Sequence, residues 1–195
     1  MLLHDKLKSY RLILASQSPR RRQLLSDAGI EYELAPRFEC DEVFPDDLPA
    51  AEVAEYLSRL KSEAYPLPLE KNDILLTADT VVVAGGEVLG KPADRADAIA
   101  IIEKLSGKEH EVITGVTLRS AGAVKSFSSH SKVYFRTLSR EEIEYYVDTY
   151  RPYDKAGSYG IQEWIGYVGI EGIEGSFYNV MGLPVQRLYC ELKRF

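Results

Sequence analysis

The chain has 195 residues, 45% of them hydrophobic, a formal net charge of −6 and only two cysteines. That length is enough for one well-packed core, and the acidic balance argues against a nucleic-acid or anionic-membrane footprint, each of which needs a net basic face. Cys40 and Cys190 lie far apart in sequence, and neither a disulfide framework nor a cysteine zinc site is indicated. No apolar run of about eighteen residues is present to span a membrane, and Met1 to Arg11 lacks a signal-peptide core. The expectation is a single cytoplasmic domain over 1–195, with residues 1–10 as an N-terminal extension.

Arg11 to Ala15 reads as a strand. Ser18 is a good N-cap and Pro19 suits the first helical position, so a helix should follow and end at Gly29. That helix opens with Arg20, Arg21 and Arg22, where the positive end of the helix dipole disfavours cations. Free N–H groups, serine hydroxyls and guanidinium forks together suit phosphate oxygens. Arg22 points about 100° away from Arg21 and is expected in solvent. A strand at 31–35 precedes an acidic loop, Glu39-Cys40-Asp41-Glu42 through Asp47, broken by Pro45 and Pro49. A helix from Ala50 carries Val53, Leu57, Leu60 and Ala64 on one face, with Lys61 at its edge.

Ile74 to Val83 is nearly all apolar, as in a strand buried on both faces, except for Asp79 and Thr80. Gly85-Gly86 suits a hairpin turn that sets Ala84 opposite Glu87 and Thr80 opposite Lys91. Gly85 to Lys91 resembles a P-loop, but Pro92 stands where Mg²⁺ needs Ser or Thr, and that reading is rejected. A helix over 94–105, strands at 111–119 and 124–136, a capping box of Ser139 with Glu142, a glycine-rich loop over 154–162, short strands and a helix after Pro184 complete the chain. The alternation predicts an α/β fold.

An ionised Asp79 inside an apolar run needs a hydrogen bond, a charge partner or a metal. Glu39 and Asp41 share a face in an extended segment and can offer oxygen to a divalent ion. Lysines 61 and 91, the arginines and these acids together meet the needs of phosphoanhydride cleavage: charge neutralisation, a bridging metal and a carboxylate that orients water.

Leu14-Ala15-Ser16-Gln17-Ser18-Pro19-Arg20-Arg21, Ala78-Asp79-Thr80, Gly90-Lys91-Pro92, Leu105 to His110, Asp154 to Gln162 and Met181-Gly182-Leu183-Pro184 closely resemble the Maf family, from about Arg11 to the C-terminus. The resemblance implies a nucleoside triphosphate pyrophosphatase that uses Mg²⁺ or Mn²⁺. Its fold would be a single domain of two lobes around a central cleft, with a mixed sheet flanked by helices, similar to the inosine triphosphate pyrophosphatases. It assigns Ser16, Arg20, Arg21, Lys61 and Lys91 to phosphate, Asp79 to catalysis or metal, and Thr80 and Gln162 to nucleotide preference. Tyr159-Gly160-Ile161-Gln162 is similar to the branch acting on dTTP and UTP, and a glutamine amide can donate to and accept from a pyrimidine edge. An extra residue in Glu39-Cys40-Asp41-Glu42 relative to the family leaves the metal-linked acid open among Asp41, Glu39 and Glu42. The family's association with septum formation leaves a second reading, a nucleotide-binding regulator of cell division. Thirteen tyrosines offer aromatics for a homodimer interface.

Overall fold

Strand β1 (Arg11–Leu14) carries three consecutive buried residues, Leu12, Ile13 and Leu14. It pairs in parallel with β2 (Glu33–Leu34) on one side and β3 (Asp73–Ala84) on the other. Burial on both faces is the usual condition of a parallel strand, because crossover helices cover both. The structure is a computed structural model and describes residues 2–195. Antiparallel pairing appears where β4 (Glu87–Leu89) folds back on β3, and where β7 (Ile170–Glu174) runs beside β6 (Val124–Phe135). With β5 (Glu109–Arg119) the hydrogen-bonded order is β2-β1-β3-β5-β6-β7, a mixed sheet flanked by helices, and the α/β expectation is met.

The chain divides into two compact units. The first comprises Met1–Asp79, Thr114–Ser129 and Gly182–Phe195. It holds the helices α1 (Leu3–Leu7), α2 (Pro19–Asp27), α3 (Ala50–Ala64) and α8 (Val185–Arg194). The N-terminal segment packs within this unit. Leu3 is 1% exposed, its N–H reaches the Tyr189 hydroxyl at 3.3 Å, and the Lys6 ammonium donates to the Leu192 carbonyl at 2.9 Å. Gly115 is the contact point of α3 on β5: a Cβ there would lie 2.2 Å from the Ala54 carbonyl, so only glycine admits so close an approach.

The second unit comprises Thr80–Ile113 and His130–Met181. Its core joins α4 (Arg95–Leu105) to α5 (Arg140–Tyr150) through Ala98, Ile102 and Leu105 with Ile143, Tyr146 and Val147. Burying a leucine or isoleucine of this kind stabilises by roughly 1.5–3 kcal/mol. Asp94 caps α4, and Ser139 with Glu142 forms the expected capping box at the start of α5. Where short strands were expected after the glycine-rich loop, the chain first forms α6 (Trp164–Gly169), then β7 and then α7 (Phe177–Met181).

Candidate active site

The turn from β1 into α2 is built by its serines. The Ser18 hydroxyl accepts the Arg21 N–H at 3.4 Å, and the Ser16 hydroxyl accepts the Ser18 N–H at 3.3 Å. No acidic residue stands in the first turn of α2 to offset the arginines. The three arginines differ in setting. Arg20 is half-buried, whereas Arg21 is buried, with Nε donating to the Gly182 carbonyl at 2.7 Å and Nη1 to the Ala78 carbonyl at 2.9 Å. Nη1 also lies 3.3 Å from the Ser16 hydroxyl. Burial lowers the Arg21 pKa, and the Asp79 charge opposes that shift. Arg21 therefore ties the serine turn to the strand that bears Asp79, rather than projecting as an exposed fork. Arg22 departs from expectation: it is half-buried and its Nε is shielded without a partner.

Asp79, midway along β3, is the last of its residues in the first unit, and Lys61 of α3 meets it with Nζ 2.5 Å from Oδ1. The same ammonium is 3.1 Å from the Glu42 carboxylate, so one cation bridges two acids. Side-chain exposures of 16% for Lys61, 13% for Asp79 and 44% for Glu42 describe a pocket-like end and an open end. The register of α3 is fixed by hydroxyls. Ser58 Oγ and Thr117 Oγ1 lie 2.8 Å apart, Thr117 Oγ1 and Ser126 Oγ 2.8 Å, and Thr77 Oγ1 donates to the Ser58 carbonyl at 2.7 Å. Thr77 precedes Asp79 by one same-face step on the strand, and Ser58 precedes Lys61 by about one helical turn. The ladder thus sets the lysine against the aspartate.

Glu39 and Asp41 are exposed, and Glu42 is the member of the acidic run that pairs with Lys61. Among the described residues no group of three or more His, Cys, Asp or Glu is placed to hold a metal. Two carboxylates about one ammonium nevertheless fit a hard divalent ion, since Mg²⁺ is commonly held by one or two carboxylates with substrate phosphates completing its shell.

Thr80, Lys91 and Gln162 belong to the second unit. The β3–β4 ladder has the expected register, Ala84 opposite Glu87, but ends at Leu89, before Lys91, which is exposed. Thr80 and Gln162 are half-buried, and the Gln162 amide oxygen is buried without a hydrogen-bond partner. An amide acceptor shielded in this way is under-satisfied and suited to a donor from outside the protein. Gly157 (φ 69°) and Ser158 (φ 60°) are both left-handed, and at Ser158 this conformation costs about 1–3 kcal/mol. Compensation comes from a set of contacts around the buried Tyr146 and Lys155 that the sequence did not disclose. The Tyr146 hydroxyl accepts the Gly160 N–H at 3.0 Å and donates to Glu163, and Lys155 Nζ lies 3.1 Å from Glu163 and 2.8 Å from Asp154. His110 packs edge-on to Phe135 and Tyr159, with Nε2 2.7 Å from the Tyr159 hydroxyl, and burial lowers its pKa to about 4.

Residues 11–195 match the family described as Maf-like protein. A dTTP/UTP pyrophosphatase of Bacteroides thetaiotaomicron is 52% identical over 188 residues, covering 96% of this chain and 97% of that one. The dTTP/UTP pyrophosphatase of Parabacteroides distasonis is 51% identical over 191 residues, covering 98% and 99%. Among solved structures, the Staphylococcus aureus Ham1 protein overlaps at a TM-score of 0.48 and 15% identity, over 64% of this chain and 71% of that one. The fold assignment rests on the strand pairing itself.

Proposed function

We propose that this chain, which belongs to the Maf-like protein family, is a nucleoside triphosphate pyrophosphatase that converts dTTP and UTP to the monophosphate and pyrophosphate. Relatives of that name at about half identity over nearly the whole chain support it. The structural observation that carries it is the Lys61 ammonium held between Asp79 and Glu42, in the same unit as the serine and arginine turn.

In this reading Asp79 orients water and accepts its proton while the water oxygen bonds to phosphorus and the α–β bridging P–O bond breaks. The bridging electron pair leaves with pyrophosphate. Arg20, Lys61 and the α2 N-terminus neutralise the phosphate oxygens, while Ser16 and Arg21 hold the shape of the turn. Glu42 and Asp79 are the acids that would hold a divalent ion, which supplies charge neutralisation when bound; Glu42 takes this place ahead of Glu39 and Asp41 because it pairs with Lys61. In the second unit Lys91 is assigned to phosphate, and Thr80 and Gln162 to the base. Free Cys40 and Cys190 accord with a reducing, cytoplasmic setting, and among the described residues no helix is long and apolar enough to cross a membrane.

The test is product identity over a nucleotide panel with Mg²⁺ or Mn²⁺. Monophosphate and pyrophosphate should form from dTTP and UTP at rates well above those from ATP, GTP and CTP. Release of inorganic phosphate with a diphosphate, or an inert panel, defeats the proposal.

A further inference from the structure

The loop that carries Gln162 is held by groups outside the proposed chemistry. Tyr146 is 0% exposed in the core of the second unit, yet its hydroxyl makes two contacts to that loop, accepting from Gly160 N–H and donating to Glu163. Lys155, 8% exposed, completes the set by pairing with Glu163. These groups close on Gly160 so tightly that a Cβ there would lie 3.0 Å from Lys155 Cε and 3.2 Å from Glu163 Cδ. Gln162 sits between Ile161, buried at 6%, and the clasped Glu163, so its backbone is fixed on both sides. At the other end of the loop the Gly157 N–H donates to the Gly90 carbonyl at 3.1 Å, immediately before Lys91. The loop thus joins Lys91 and Gln162, two of the three second-unit residues assigned to nucleotide.

We propose that Tyr146 is a positioning residue for base selection: its hydroxyl, through Gly160 and Glu163, holds the left-handed loop so that the Gln162 amide keeps the direction that reads the pyrimidine edge. This rests on the reading that Gln162 meets the base. A phenylalanine would fill the same core volume, so packing alone does not call for the hydroxyl. Burial first, and then the Glu163 carboxylate, raise the phenol's pKa, and the hydroxyl stays a donor throughout neutral and alkaline assay conditions.

The experiment compares kcat/KM for dTTP with that for CTP in wild type, Gln162→Ala, Tyr146→Phe and the double variant. Gln162→Ala should lower the dTTP preference by about tenfold or more, because a site built to hydrogen-bond its substrate discriminates through those bonds. Tyr146→Phe should lower it about tenfold, chiefly through KM for dTTP and with kcat changed less. The double variant should be no less selective than Gln162→Ala alone, since the tyrosine acts through the glutamine. Unchanged preference in folded Tyr146→Phe overturns the proposal, as does an equal loss for both nucleotides or a multiplicative loss in the double variant. Unchanged preference in Gln162→Ala removes the glutamine's assignment and the proposal with it, whereas a loss there and none with Tyr146→Phe removes the tyrosine alone. If Tyr146→Phe fails to fold, Glu163→Leu, which removes the acceptor of the tyrosine hydroxyl, is read by the same criteria.

Discussion

In the first unit a lysine is shared between two acids at a half-open place, whereas in the second a lysine, a glutamate and a tyrosine hydroxyl are joined under cover. Each lysine has a covered acid and an exposed one, Asp79 at 13% and Glu42 at 44% for Lys61, Glu163 at 19% and Asp154 at 61% for Lys155, but only in the second unit does a buried tyrosine hydroxyl also hold the covered acid. The contrast separates two uses of charge. A pair with an exposed partner is worth about 0–1 kcal/mol and exchanges partners readily; a covered pair is costly to break, because removing one member strands the other. The first arrangement suits groups that must rearrange around a polyanion, and the second suits groups that must stay where they are.

The largest effect should come from the exchangeable side. Asp79→Asn should reduce dTTP turnover by about 10²- to 10⁴-fold, the usual contribution of a general base. Circular dichroism should show an intact fold, and near-wild-type turnover would take Asp79 out of the mechanism. The covered side should reverse that pattern. Lys155→Met strands Glu163 and should destabilise by about 3–5 kcal/mol in urea unfolding, while Glu42→Gln should change stability by less than about 1 kcal/mol; equal losses would erase the contrast.

A further effect, of pH alone, concerns His110. Burial lowers its folded pKa to about 4 from the ordinary 6.5 of a free imidazole. The unfolded chain therefore binds the extra proton first as pH falls, so the stability contribution is present above about 6.5 and is lost on the way down to about 4. At about 1.36 kcal/mol per unit, the whole window is worth roughly 3 kcal/mol. Urea unfolding at pH 7 and pH 4 should show that loss superimposed on the carboxylate titrations, and His110→Gln should reduce it.

Locally written features of the fold were legible. The Ser139–Glu142 box, the cap at Ser18 and the Gly85–Gly86 hairpin depend on residues a few positions apart, and all three formed. The helix at 164–169 was not legible, because glycines and β-branched residues there have weak helical preference. It forms around tertiary packing, with Gly166 so close to the Ile161 carbonyl that a Cβ would lie 1.7 Å away. The site divides along the same line. An aspartate in an apolar strand and a lysine at the edge of a helical stripe announced themselves by breaking a pattern. Which of three neighbouring acids turns toward that lysine depends on the path of an irregular loop, and composition does not encode it. Likewise Tyr146 fitted the apolar stripe of α5, and nothing local showed that its hydroxyl meets Gly160 and Glu163, 14 and 17 residues away.

The ammonium of Lys61 is, in effect, a tethered counterion. While it is seated between Asp79 and Glu42, a free divalent ion meets two acids whose charge is already half offset and must compete with a cation supplied at very high local concentration. On the proposed reading a triphosphate would change that balance by offering the lysine a new anion and freeing both carboxylates. Metal and nucleotide would then be interlocked: titrated calorimetrically onto the nucleotide-free protein, Mn²⁺ should bind weakly, and it should bind more tightly once a non-hydrolysable triphosphate is present.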